Sequence, residues 1–142
     1  MIIEPTIWSK LHGATTHFPI ALLLVSAFCD GVSLLWPNAK WQRALRSTAT
    51  ITIVLGALGG FAAVATGLIT TNWQFWGHGT LLHHHQFVWP AFALMVTLAT
   101  WRAAARLPST QRPPVPYLIL LFLAAALMSG AGYWGGEVLN HG

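Results

Sequence analysis

Histidine is the residue type of this sequence best suited to chemistry, and three histidines stand together in the stretch LLHHHQFVWP. The chain has seven in all, at positions 12, 17, 78, 83, 84, 85 and 141. Neutral imidazole is a common nitrogen ligand of haem iron, copper and zinc. Three acidic residues are too few for a typical calcium or magnesium site. With one cysteine and no CxxC or CxxCH motif, the chain alone excludes thiolate zinc sites, iron–sulfur clusters and covalently attached haem.

The segments that carry these histidines are strongly apolar. Of the 142 residues, 55% are hydrophobic and 7% are charged, which is the balance of a membrane protein. Four segments are long enough to cross a bilayer as helices, at roughly residues 12–36, 47–71, 81–103 and 115–136. Short polar or proline-containing loops separate them. The sequence therefore predicts an all-α fold: one integral membrane domain over residues 1–142, folded as an up-down-up-down four-helix bundle. No internal repeat is visible in the sequence.

The basic residues predict how this bundle is oriented. Six of the seven lie at the loops between helices 1 and 2 and between helices 3 and 4, namely Lys40, Arg43, Arg46, Arg102, Arg106 and Arg112. Lys10 alone lies on the other side. Because short cytoplasmic loops are rich in Lys and Arg, we expect both termini on the outer side. In a bacterial inner membrane that side is the periplasm. The net charge of +4 then reflects topology and lipid contact, and no nucleic-acid partner is expected.

All seven histidines fall on the outer side of this topology. A bundle brings the starts of helices 1 and 3 and the ends of helices 2 and 4 into one layer, where facing helices can hold a cofactor. Haem b fits such a layer, because it needs only one or two axial histidines and an apolar space between helices. We expect one haem or two, with a quinone as a further candidate ligand.

Two histidines are the predicted ligands of the haem iron, His17 on helix 1 and His84 on helix 3. His84 and His85 point about 100° apart on a helix, so at most one of them can face helix 1 directly. His84 shares its face with smaller or more flexible residues, and His85 is the second choice. His12 and His141 lie nearer water and are weaker candidates.

Glycines on helix 2 supply a candidate space for the cofactor. Gly60 and Gly67 lie on one face together with Gly56 and Ala63. Such a stripe permits close helix packing, and a flat macrocycle between helices also needs small neighbours. The stripe alone leaves both interpretations open.

Asp30 is a carboxylate in the cytoplasmic half of helix 1, where an unpaired charge would be costly. We expect an ion pair with Arg43, Arg46 or Arg102. A role in proton transfer is the alternative.

Two stretches near the ends resemble the DUF2231 family of predicted four-helix membrane proteins. They are LHGATTHFPIALLLVSAFCD, which resembles the family's HP-x-x-x-HFPIAL…D opening, and GYWGGEVLNHG, which resembles its G-x-x-GGELV-x-x-HG ending. Gly13 stands where the family usually has proline. Positions that match the motifs are His17, Asp30, Gly135, Gly136, Glu137 and His141. Since members often occur with or fused to cytochrome c modules, the resemblance implies membrane-associated electron transfer.

The expected function is that of a b-type haem subunit that passes electrons between the quinone pool and a periplasmic redox partner, a c-type cytochrome or a dehydrogenase. No Ser/His/Asp order, phosphate-binding loop or paired carboxylates suggest an enzyme acting alone, so we expect an electron-transfer subunit of an oxidoreductase complex. One alternative is a cofactor-free anchor or assembly subunit of a larger respiratory complex. Another is a copper- or zinc-binding membrane protein that uses the outer histidines.

Overall fold

The computed structural model describes residues 6–37, 40–105 and 111–141, without the side chains of residues 139–141. Four helices make up this part of the chain, and it contains no strand. They are α1 (Ile7–Leu35), α2 (Gln42–Thr70), α3 (Thr80–Ala104) and α4 (Val115–His141). The prediction of an all-α, four-helix fold is confirmed.

Each helix is long and apolar enough to cross a membrane. The spans are 24 to 29 residues long, which is about 36 to 44 Å at 1.5 Å per residue and exceeds a hydrocarbon core of about 30 Å. Large apolar side chains point outward from the bundle, among them Phe18, Phe28, Leu58 and Ile119. The chain is therefore a multi-pass membrane protein whose outward faces contact lipid.

Two helices begin earlier than the apolar segments suggested. α1 begins at Ile7, five residues before the expected start, and α2 begins at Gln42 rather than near residue 47. Thr6 caps α1, because its hydroxyl oxygen accepts the Ser9 N–H at 3.2 Å. Counting apolar residues misses such polar first turns, which still form helix at the membrane surface.

The helices pack as two hairpins. α1 packs most extensively on α2 and α3 on α4, whereas the α2–α3 and α1–α4 seams are thinner. α1 and α3 are thus diagonally opposed, as are α2 and α4. The core lies along the inner faces of all four helices.

The two hairpins bury corresponding positions. Three buried positions of α1 recur in α3, 72 positions later, in the pairs Leu23 and Met95, Ala27 and Ala99, and Asp30 and Arg102. Three of α2 recur in α4, 68 positions later, in the pairs Ala49 and Tyr117, Ile53 and Leu121, and Ala57 and Ala125. This repeat indicates that an approximate two-fold axis along the bundle relates the hairpins.

A buried ion pair joins the hairpins at the end of the bundle where α1 and α3 finish. Asp30 is fully buried, and both of its carboxylate oxygens accept hydrogen bonds from Arg102, Oδ1 from Nη2 at 3.2 Å. Arg102 also donates to Thr50 Oγ1 at 2.8 Å, to the Arg46 carbonyl at 3.1 Å and to Tyr117 Oη at 3.3 Å. Arg102 is thus the partner of Asp30 among the three arginines proposed, and the network touches all four helices.

Candidate cofactor site

A cavity of about 350 Å³ lies at the opposite end, where α1 and α3 begin and α2 and α4 end. Its volume is within the range of small-molecule sites, about 300 to 1,000 Å³. All four helices contribute to its wall, which is mostly apolar or glycine. Four histidines line it: His12, His17, His84 and His85.

His12 is oriented by α2. Its Nδ1 lies 3.0 Å from the Ala63 carbonyl oxygen and 3.3 Å from Thr66 Oγ1. Since a carbonyl only accepts, Nδ1 carries a proton, and in the neutral imidazole Nε2 then keeps a free lone pair. Gly67 makes room for the ring, because a Cβ there would lie 2.8 Å from His12 Cε1.

His84 is oriented by α4 in the same way. Its Nδ1 lies 2.9 Å from the Ala131 carbonyl oxygen, and a Cβ on Gly135 would lie 3.2 Å from His84 Cε1. The approximate two-fold axis relates this group to the one around His12. His84 corresponds to His12, Ala131 to Ala63 and Gly135 to Gly67. The same local arrangement therefore occurs once in each hairpin.

This arrangement leaves His12 and His84 as candidate ligands. Metal-binding histidines commonly donate their second ring N–H to a carbonyl or carboxylate, which fixes the tautomer and the ring orientation. His12 lies about 7 Å and His84 about 6 Å from the start of its helix, so the two are at similar depth. Two diagonally opposed helices thus bring imidazoles of fixed orientation to one cavity.

The other two cavity histidines are not held in this way. The backbone carbonyl of Trp76 is a hydrogen-bond partner of the His85 imidazole, which is 7% exposed, but His85 Nδ1 has no partner among the described residues. Its ring centroid is 5.7 Å from that of His84 and 6.0 Å from that of Trp89. His17 lies at the cavity edge with its side chain exposed. It lies about 7 Å further along α1 than His12.

The remaining histidines do not line the cavity. His78 and His83 are exposed, and the ring centroid of His83 lies 4.7 Å from that of Trp134. His141 ends α4, and its side chain lies outside the part of the chain that the structure describes.

The glycines of α2 differ in what they do. A Cβ on Gly60 would lie 2.7 Å from Met95 Cε and 3.0 Å from Phe92, so this glycine permits close packing against α3. Gly67 instead makes room for His12. Sequence reasoning did not identify the contributions of Ala63, Ala131 and Gly135. A signal was present, because Ala-x-x-x-Gly occurs in both α2 (AVATG) and α4 (AGYWG).

A polydentate metal site is not apparent. Within residues 6–37, 40–105 and 111–138, no group of three or more His, Cys, Asp or Glu side chains is placed to hold a metal ion. An axial pair for a haem iron needs only two histidines and is compatible with this finding.

Fold and cavity together define a four-helix integral membrane protein with a histidine-lined cavity at one end of the bundle. The chain matches the DUF2231 family, described as a predicted membrane protein, over residues 9–142, and it belongs to that family. The resemblance of its end motifs to this family is thereby confirmed. Comparison with curated proteins and with solved structures found no match.

Proposed function

We propose that the cavity holds one b-type haem and that His12 and His84 would hold its iron. The observation that carries the proposal is the duplicated contact of each imidazole with a carbonyl of the next helix. In the neutral imidazole this contact leaves Nε2 unprotonated, on two histidines at similar depth on opposed helices. Haem would supply one-electron redox chemistry, while these residues would hold and orient it.

The wall of the cavity suits a flat, apolar macrocycle. It is mostly apolar or glycine. Gly67 on α2 and Gly135 on α4 leave room for the two imidazoles that would hold the group. Methionine and phenylalanine side chains close the cavity toward the bundle core. Water would be limited on the core side, which favours haem retention.

The ligand pair differs in one member from the pair expected from the sequence, His17 with His84. His17 stays a candidate, but the geometry favours His12. The imidazole of His12 is held by two hydrogen-bond partners on α2, whereas none is found for His17 among the described residues. His17 also lies deeper than His84 by about 9 Å along the helix direction.

As a cellular role we propose electron transfer between the quinone pool and a redox partner outside a bacterial inner membrane, a c-type cytochrome or a dehydrogenase. The histidine layer lies at one end of the bundle, as transfer to a partner on that side requires. The protein would act as a subunit of an oxidoreductase complex and not as an enzyme alone.

The visible spectrum of the purified protein tests the haem. We expect a haem band that shifts on reduction. His12→Ala and His84→Ala should each change the spectrum or abolish haem retention, because each removes an axial ligand. His78→Ala and His83→Ala are matched controls and should leave the spectrum unchanged. A normal spectrum in both His12→Ala and His84→Ala would overturn the assignment.

A cofactor-free anchor or assembly subunit is the second candidate. It is favoured by glycines that serve close packing, such as Gly60, and Gly130, where a Cβ would lie 2.6 Å from Phe87 Cδ1. A colourless protein that co-purifies with larger subunits would support this role. Metal analysis of the same sample tests the copper or zinc hypothesis.

A further inference from the structure

The α2–α3 and α1–α4 seams correspond under the approximate two-fold axis. Beside the cavity, however, the side chains of the two seams differ in size. One half of the cavity wall carries bulky side chains at four positions: His85, Trp89, Val64 and Leu68. The corresponding four positions are Gly13, His17, Gly132 and Gly136, and we call them the α1–α4 slot. Three of the four bulky side chains are thus replaced by glycine on one side only.

The α1–α4 slot is open space. A Cβ added to Gly13 or to Gly136 would meet no atom within 4 Å, and one added to Gly132 would meet only Ile20 Cδ1, at 3.9 Å. By contrast, a Cβ on Gly60 would clash with α3. The glycines of the slot are therefore not used for close helix packing, unlike Gly60.

Imidazole nitrogens without a hydrogen-bond partner among the described residues are present both in the slot and inside the cavity. His17 is exposed, lies about 15 Å from the start of α1 and directly precedes the apolar part of that helix. A polar side chain beside an apolar span normally faces a polar partner. His85 is more than nine-tenths buried in the same cavity, and its Nδ1 has no partner among the described residues. A ring nitrogen of His17 and Nδ1 of His85 can each form a hydrogen bond with an oxygen atom of a ligand.

We propose that the α1–α4 slot binds the headgroup of a lipid-soluble quinone, with His17 as a hydrogen-bond partner of a ring oxygen. A quinone ring is flat, carries oxygens on opposite edges and has an apolar tail that stays in lipid. The cavity wall contains no Lys or Arg among its lining residues, so it is poorly suited to the phosphate of a phospholipid. The proposal rests on the proposed function, since it names the electron-exchanging partner of the same cavity.

Binding can be measured without relying on activity. Short-chain benzoquinone and naphthoquinone would be titrated into the purified protein, and quenching of tryptophan fluorescence would be followed. Trp89 lines the cavity. We expect saturable quenching in the unmodified protein. Gly13→Leu and Gly132→Leu should weaken binding at least tenfold by filling the slot.

The matched control is Ala14→Leu, which adds the same side chain at an exposed neighbour of Gly13 outside the cavity wall. It should leave the dissociation constant unchanged. His17→Phe should also weaken quinone binding while leaving the haem spectrum as it is. A changed haem spectrum in His17→Phe would instead make His17 a ligand of the iron and overturn its role in the slot.

The outcomes separate this proposal from the haem assignment. Quenching weakened by Gly13→Leu in a colourless protein would support the slot and refute the haem. A haem spectrum without saturable quenching, or equal quenching in Gly13→Leu, Gly132→Leu and Ala14→Leu, would refute the slot and leave the haem. Loss of co-purified phospholipid in the slot variants, with no change in quinone binding, would also overturn the proposal.

Discussion

Neither His12 nor His84 is positioned by its own helix alone, because a carbonyl of the neighbouring helix orients each imidazole. A helical carbonyl is rigid and can only accept, so it fixes both the ring plane and the tautomer. The glycine four residues later provides the space that the ring needs. Each proposed ligand thus depends on a backbone oxygen and on the absence of a side chain, and neither of these is visible as a polar residue in the sequence.

Gly67→Ala should lower haem retention several-fold. The added Cβ would lie 2.8 Å from His12 Cε1 and would push the imidazole from its place. Gly135→Ala should have a milder effect, since the corresponding distance to His84 is 3.2 Å. The ratio of haem absorbance to protein absorbance measures both. Gly59→Ala is the control, because Gly59 lies outside the cavity wall and its Cβ would make only ordinary contacts, at 3.5 Å or more. Equal haem content in all three variants would contradict the geometry.

At the scale of helices, the repeat of the two hairpins is mainly one of burial, and residue type is kept only at some positions, such as His12 and His84. Other corresponding positions hold Asp30 and Arg102, Ala49 and Tyr117, or Gly13 and His85. The amino-acid sequence shows no repeat at these positions because the residue types differ, although the buried faces of the helices coincide. The packing partners of a helix face decide burial, and these are set by tertiary structure. The sequence could therefore predict four spans but not their pairing into equivalent hairpins.

Reversing both charges of the Asp30–Arg102 pair should restore much of what either single reversal removes. Asp30→Arg or Arg102→Asp alone buries like charges together, and breaking a buried pair costs about 3 to 5 kcal/mol. In the double variant the two charges exchange helices, so the ion pair can form again. Recovery should be partial, because Arg102 also donates to Thr50 and Tyr117. Thermal unfolding and yield in detergent are the measurements.

Arg43→Gln serves as the control for this series, because Arg43 is exposed at the same end of the bundle. It should change stability by no more than about 0.5 kcal/mol. A double variant no more stable than the single reversals would show that the approximate two-fold relation does not extend to the ion pair.

Asp30→Asn should lower stability and yield while the surviving protein keeps the spectrum of the proposed haem. Asp30 lies about 27 Å along α1 from His12, too far to touch a group held there. The amide would leave the Arg102 guanidinium buried without its counter-ion. Spectra before and after thermal challenge separate the two effects. A stable variant with a normal spectrum but no electron transfer would favour the proton-transfer role.

For the whole molecule, an even number of spans places both termini on one side of the membrane, and the basic loops predict which side. A reporter that is active only outside the cytoplasm, fused after Gly142, should be active. A reporter that is active only in the cytoplasm should be inactive when it is fused at the same position. Activity of the cytoplasmic reporter would reverse the orientation, and with it the side on which the histidines lie.

The sequence predicted that histidines lie at one end of the bundle, but not which of them a neighbouring helix orients. Four long apolar segments and the position of the histidines were enough to predict a histidine layer at one end of a bundle. The choice between His12 and His17 depended on helix rotation, because the carbonyl that orients His12 comes from a residue 51 positions away. Residue types near each histidine cannot reveal such a long-range contact.

The α1–α4 slot has residues exposed on the flank of the bundle, His17, Gly132 and Gly136, and this has a consequence for how its proposed occupancy would depend on the amount of lipid. A molecule that reaches the cavity through the flank of the bundle arrives from the acyl-chain phase, so its mole fraction among lipids governs binding. Adding empty vesicles at constant ligand should therefore empty the slot, whereas diluting the whole suspension with buffer should hardly change it. In a cell, growth of the membrane area would therefore lower the occupancy of the slot, although no competing molecule binds to the protein.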